Sequence, residues 1–182
     1  VFADTAGDVA IWHNGKFPLR FQRQARFIND GANPEHDWQK WVPHQHNPHI
    51  KNPDRGFVSS ANQNPTNSDY PYYLGWFFPQ YRGKRINQQM LEMDSIIPDD
   101  FRLLQLDNQN LQASLIIPSL LRFVDLDRLT LEETQAFKKI STWDYVNDAN
   151  QIAPTVFDIW QKRLHAAIWS DEFGGNGSYR FP

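Results

Sequence analysis

The sequence predicts an α+β fold, with a β-hairpin and strands in the first third and a helical region after about residue 80. Three observations carry this prediction. Short apolar runs separated by turn residues open the chain. Beyond residue 80, apolar positions recur at helical spacing instead. Helix-start signals, Pro98-Asp99-Asp100 and Thr130-Leu131-Glu132-Glu133, then punctuate the second half. Strands first and helices after is the order of an α+β layout.

Residues 1–4 and 9–13 flank the turn-rich Thr5-Ala6-Gly7-Asp8 and read as a β-hairpin. Asn14-Gly15 is a second turn signal. Residues 16–55 carry five prolines, at 18, 34, 43, 48 and 53, and no sustained period. They read as a long ordered loop pinned by Trp38 and Trp41, or as a segment that covers another subunit. Residues 56–61 read as a short apolar strand that ends on the amides Asn62, Gln63 and Asn64.

The helical half is written in clearer signals. Ile86, Met90 and Met93 are spaced for a helix over 81–93. Pro98 suits a first helical turn, and Asp99 and Asp100 suit its positive end. Leu111, Leu115, Leu120 and Phe123 line a helix over 108–124, which Pro118 should kink. Thr130 with Glu133 matches a capping box. A last helix over about 154–169 aligns Val156, Ile159, Trp160, Leu164 and Ile168. The Gly- and Ser-rich tail at 174–182 reads as flexible. The chain is expected to be a single piece, with strands and loop over 1–75 and a mainly helical part over 76–173.

Composition narrows the function. With 182 residues and 40% hydrophobic side chains, seven of them Trp, the chain can bury a real core. A net charge of −3 argues against a nucleic-acid partner, which calls for a basic face. There is no cysteine, so disulfides, thiolate metal sites and a cysteine nucleophile are all excluded. No apolar run approaches the roughly 20 residues that span a bilayer, and no secretion signal opens the chain. Val1-Phe2-Ala3-Asp4 reads as the middle of a strand, so the chain is expected to be cut from something larger.

Few residues ask for chemistry. His44, His46 and His49 lie within six residues, but the flanking prolines impose an irregular backbone that suits polar loop histidines better than metal ligands. Ser59 and Ser60 lack a Gly-x-Ser-x-Gly elbow, so cross-strand hydrogen bonding is the expected job of both. Asn62 is different. A neutral amide presents two N–H donors that do not titrate, which suits a developing oxyanion in acyl transfer. The alternative is an Asx-turn, because Asn-Gln-Asn-Pro is ordinary turn chemistry. Arg85 opposes the helix dipole near a helix start, so it is either solvated or compensated by a partner. Arg82 and Lys84 beside it read as a solvated face.

The order of "VFADTAGDVAIWHNGKFPLR", "DWQKWVP", "NPDRGFVSSANQNP", "YPYYLG", "YRGKRI" and "LLQLDNQNLQASLIIPSLL" resembles the penicillin acylase (penicillin amidase) family. The resemblance covers most of the chain, weakens after about Phe123, and returns around 141–144 and 153–160. It implies an N-terminal-nucleophile hydrolase with a four-layer αββα fold, whose precursor cleaves itself into α and β chains. The N-terminal serine of the β chain attacks amides with its own α-amine as base. This chain then corresponds to an internal piece of the β chain, without the nucleophile and inactive alone. Asn62 would donate to the oxyanion and Arg85 would orient the site. The expected partners are the remainder of the β chain, the α chain of the same precursor and a small N-acyl amide substrate, with no nucleic acid and no membrane. Penicillin-type amides and acyl-homoserine lactones are both compatible substrates, and a non-catalytic scaffold that keeps the fold is the alternative. The implied setting is periplasmic or secreted. No cofactor is implied for catalysis. Family members often hold a structural calcium, but "YPYYLGW" at 70–76 carries no acid and Asp69 is out of register.

Overall fold

A computed structural model describes residues 1–21, 24 and 28–171. The chain divides into two compact units, the first from Val1 to Ser95 and the second from Ile96 onward. Both the opening strands and the later helices are present, which makes the chain α+β. The expectation for 174–182 lies outside the described residues.

The first unit is built on a small antiparallel sheet in the order β1 (Phe2–Ala3), β2 (Val9–Trp12), β3 (His49–Lys51). The opening hairpin forms because Asp4 ties its own turn: Oδ1 accepts the N–H groups of Ala6 at 2.9 Å and Asp8 at 3.0 Å. Gly7 supplies the positive φ, 91°, that the turn requires. The third strand comes from the proline-rich stretch rather than from 56–61. It pairs Ala10 with Lys51, Ile11 with Ile50 and Trp12 with His49. Pro48 and Pro53 lie just outside it, where a missing N–H costs no ladder bond. Asn52 closes the sheet, with Oδ1 accepting the Val9 N–H at 2.8 Å and Nδ2 donating to Asp8 at 2.7 Å.

Residues 56–61 are therefore not a strand. The Ser59 hydroxyl and the Ala61 carbonyl bond to the following helix, while the Phe57 carbonyl and the Ala61 N–H bond to the nearby side chains of Arg55 and Gln63. Trp38 and Trp41 do not pin the loop either, since both are about half exposed, under Arg20 and Lys16 respectively. The buried anchors include Val42, Gln24 and Asn47. Asn47 is 1% exposed, and its Nδ2 donates to the carbonyls of His13 and Gly15, both at 3.0 Å. One buried amide thus holds the loop against the end of β2.

Helix α1 (Tyr81–Glu92) buries Gly83 and Met90 and completes the unit. The second unit holds α2 (Pro98–Gln105), α3 (Leu111–Leu120), α4 (Leu131–Ser141) and α5 (Ala153–Trp169). α2, α4 and α5 begin within a residue of their sequence signals, whereas α3 begins three residues after the expected 108. Asp100 accepts the Ile97 N–H at 2.9 Å, Asn110 caps Ala113 at 2.9 Å, and the Thr130–Glu133 box makes both of its bonds. Pro118 lies inside α3, which tightens into a 3-10 turn over Leu121–Phe123 soon after. The core of this unit packs Ala113, Ile117, Ile140, Trp143, Ala153 and Phe157. Trp143 satisfies its indole N–H on the Val146 carbonyl at 2.8 Å, as a buried tryptophan must.

Candidate functional site

One face of α1 organises the residues around Asn62. Positions 83 and 87 lie about one helical turn apart and position 82 adjoins 83, and all three meet the strip of chain from 59 to 63. Asn87 accepts from the Ser59 hydroxyl at 2.6 Å. Arg82 Nη2 donates to Asn62 Oδ1 at 2.5 Å and reaches the Ala61 carbonyl at 3.4 Å. Gly83 lies against the Gln63 side chain. The irregular stretch is held by a helix and needs no sheet.

Asn62 adopts a left-handed backbone, with φ 64°. Asparagine tolerates this region better than other residues with a Cβ. Its side chain makes no bond to its own turn. The Asx-type bonds belong to Asn64, whose Oδ1 accepts from Thr66 N at 3.1 Å and Thr66 Oγ1 at 2.8 Å. With Oδ1 occupied by Arg82, the free end of the Asn62 amide is its NH2, and the residue is exposed. A neutral two-proton donor is thereby fixed in orientation by a permanent cation.

Arg82 is the residue that sequence reasoning passed over as part of a solvated face. Periodicity could not single it out, because a guanidinium pointing at a loop twenty residues earlier leaves no local pattern. Arg85 lies three residues on, partly buried. The arginine that the structure brings to Asn62 is Arg82.

An open groove of about 1160 Å³ runs beside this region, lined among others by His46, His49, Ser59, Gln63, Asn64 and Asn87. The histidines in and beside it are engaged locally. His44 and His49 stack on Trp12, with ring centroids at 5.6 and 4.1 Å. His13 and His49 use Nδ1 to donate to the Pro48 and Asn47 carbonyls. His46 stacks on Tyr72 and shares a 2.7 Å bond with its hydroxyl. Tyr70 donates to the His46 carbonyl at 2.8 Å, and burial, reinforced by Tyr72, pushes its own pKa up. Among the described residues no three His, Asp or Glu side chains converge as metal ligands. Asp69, the acid nearest the segment where calcium would be sought, is exposed and accepts from Ser68.

A fixed neutral amide donor with a guanidinium behind it suits the anion-binding side of a carbonyl-cleaving hydrolase site. Comparison with known proteins makes the class specific. The chain belongs to the penicillin amidase family, whose profile it matches over residues 1–182. It is similar to the penicillin acylase 2 proenzyme of Pseudomonas sp. (strain SE83), at 25% identity over 165 residues, which is 90% of this chain. The chain spans 21% of the length of that relative.

Proposed function

We propose that this chain is a piece of the β chain of an amidohydrolase that cleaves small N-acyl amides, built on an αββα N-terminal-nucleophile fold. Asn62 donates Nδ2–H to the oxyanion of the tetrahedral intermediate, and Arg82 holds the amide in that orientation. Arg85 remains a candidate for orienting the site from one turn further along α1. The observation that carries this reading is the Arg82–Asn62 bond, which leaves the donor end of the amide facing outward. On this reading the nucleophile is the N-terminal serine of the β chain, with its own α-amine as base. Family membership and a relative that is a proenzyme support partners cut from one precursor. So do the large apolar side chains left exposed, such as Leu106 at 67%, Phe123 at 86% and Leu131 at 72%. A periplasmic or secreted setting belongs to the same reading.

The test is an assay of the processed full-length protein against a panel of phenylacetyl and fatty-acyl anilides. Turnover of at least one acyl group is expected, with none from the 182-residue chain alone. Inactivity of the full-length protein across the panel would leave a non-catalytic scaffold as the better reading.

A further inference from the structure

Asn62 is also held through its neighbour Gln63. Gln63 folds its side chain back so that Oε1 accepts the Ala61 N–H at 2.6 Å. This bond closes a tight ring across Asn62, the residue with φ 64°. The folded Gln63 amide rests on Gly83, which is buried in the first turn of α1. A Cβ at position 83 would stand 3.0 Å from Gln63 Oε1 and 3.1 Å from Cδ. Nine in ten real Cβ contacts are looser than this, so the amide would have to give by a few tenths of an ångström. Glycine is among the poorest helix formers, and Gly83 has ordinary helical backbone that does not require it. The space it leaves is filled by Gln63.

We propose that Gln63 and Gly83 are positioning residues for Asn62. Gly83 makes room for the Gln63 amide, Gln63 clamps the Ala61 N–H, and the clamp sets the left-handed turn that presents the Asn62 amide to Arg82. This rests on the reading of Asn62 as the oxyanion donor. It adds that the donor is aimed by a glycine on the neighbouring helix.

The processed full-length protein provides the test. Gly83→Ala is expected to lower kcat by about 10- to 100-fold through misplacement of the donor. KM should move by less than about twofold, because the donor acts on transition-state charge. The thermal midpoint should not fall, because alanine improves the helix; a merely structural role would lower it. Gln63→Ala should cost kcat to the same order, and adding it to Gly83→Ala should cost little more, since both break one clamp. Gln63→Glu keeps an acceptor for the Ala61 N–H and should retain more kcat than Gln63→Ala. In a crystal structure of Gly83→Ala, Gln63 should leave Ala61 and Asn62 should shift off Arg82. Wild-type kcat in Gly83→Ala, or an unmoved Asn62 in its crystal structure, overturns the proposal. Should Asn62→Gly itself retain full kcat, the oxyanion reading fails instead. The crystal structure then decides alone: a displaced Asn62 sustains the clamp and an unmoved one refutes it.

Discussion

Arg82 Nη2 meets Asn62 Oδ1 at 2.5 Å, and that bond decides which end of the Asn62 amide faces outward. An unsupported asparagine presents either its oxygen or its NH2 after a simple flip. A guanidinium has no acceptor, so beside it only the oxygen-inward orientation makes a bond. A site that must stabilise negative charge needs the other end free.

Replacing Asn62 by glycine tests the donor without disturbing the backbone, because glycine adopts positive φ freely. In the full-length protein Asn62→Gly should lower kcat by about 100- to 1000-fold, the usual cost of one lost oxyanion donor. KM should change little. Asn64→Ala removes turn bonds to Thr66 and should leave kcat nearly unaltered. Steady-state kinetics on a chromogenic amide separates the two, and equal effects at both positions would return Asn62 to a turn role.

Arg82→Lys keeps the charge and loses the planar fork. A clear drop in kcat is expected, because an ammonium on a flexible stem fixes the amide poorly. Arg85→Lys is the comparison. A larger loss at Arg85 than at Arg82 in the same assay would transfer the orienting role to Arg85.

The end of the small sheet should be sensitive to acid. Bonds from Lys51 first, and then Asn52, hold the Asp8 carboxyl below its ordinary value of 3.8. A folded-state pKa below the unfolded one contributes stability that is present above the unfolded value. That stability is lost as pH falls through the folded value. Asp8→Asn should therefore lower the thermal midpoint at neutral pH, and the difference from wild type should shrink as pH falls below 3.8 and vanish once pH has passed the lowered folded value. A difference that persists into stronger acid would point to packing and not to charge.

In the helical unit, Phe157 is 3% exposed and its ring lies 6.0 Å from that of Trp143. Phe157→Ala should destabilise by about 3–5 kcal/mol, and Ile117→Val by about 0.5–1.5 kcal/mol. Denaturant unfolding followed by far-UV circular dichroism measures both. A cost for Phe157→Ala no greater than that for Ile117→Val would mean that this core is not close-packed.

The helices were legible because their signals are local. Pro98, the Thr130–Glu133 box and the apolar spacing within 154–169 each act within a turn or two of chain, and α2, α4 and α5 start on them or within a residue. The hairpin was legible for the same reason, through Asp4 and Gly7. The third strand was not. His49–Lys51 is three residues between prolines, and only its partner β2, some forty residues earlier, makes it a strand. The stretch 56–61 failed the opposite way. Its apolar residues suggested a ladder, while Ser59 found Asn87 on α1 instead. In the site, Asn62 could be picked out by its chemistry, but its support could not. Arg82 and Gly83 act across the gap between a loop and a helix, and nothing in the residues near Asn62 encodes that approach.

The left-handed backbone at Asn62 also bears on how this position can change over generations. Glycine, asparagine and aspartate are the residues that suit such a backbone, and of these asparagine alone carries side-chain N–H donors. A single-nucleotide change from an asparagine codon reaches aspartate but not glycine. If Asn62 serves the proposed oxyanion, aspartate would set a carboxylate where a hydrogen-bond donor is needed. The mutational neighbourhood of this residue thus divides into changes the backbone resists and one that the chemistry resists. A lineage abandoning hydrolysis would be expected to show aspartate at this position, the one change that the backbone accepts and only the chemistry resists.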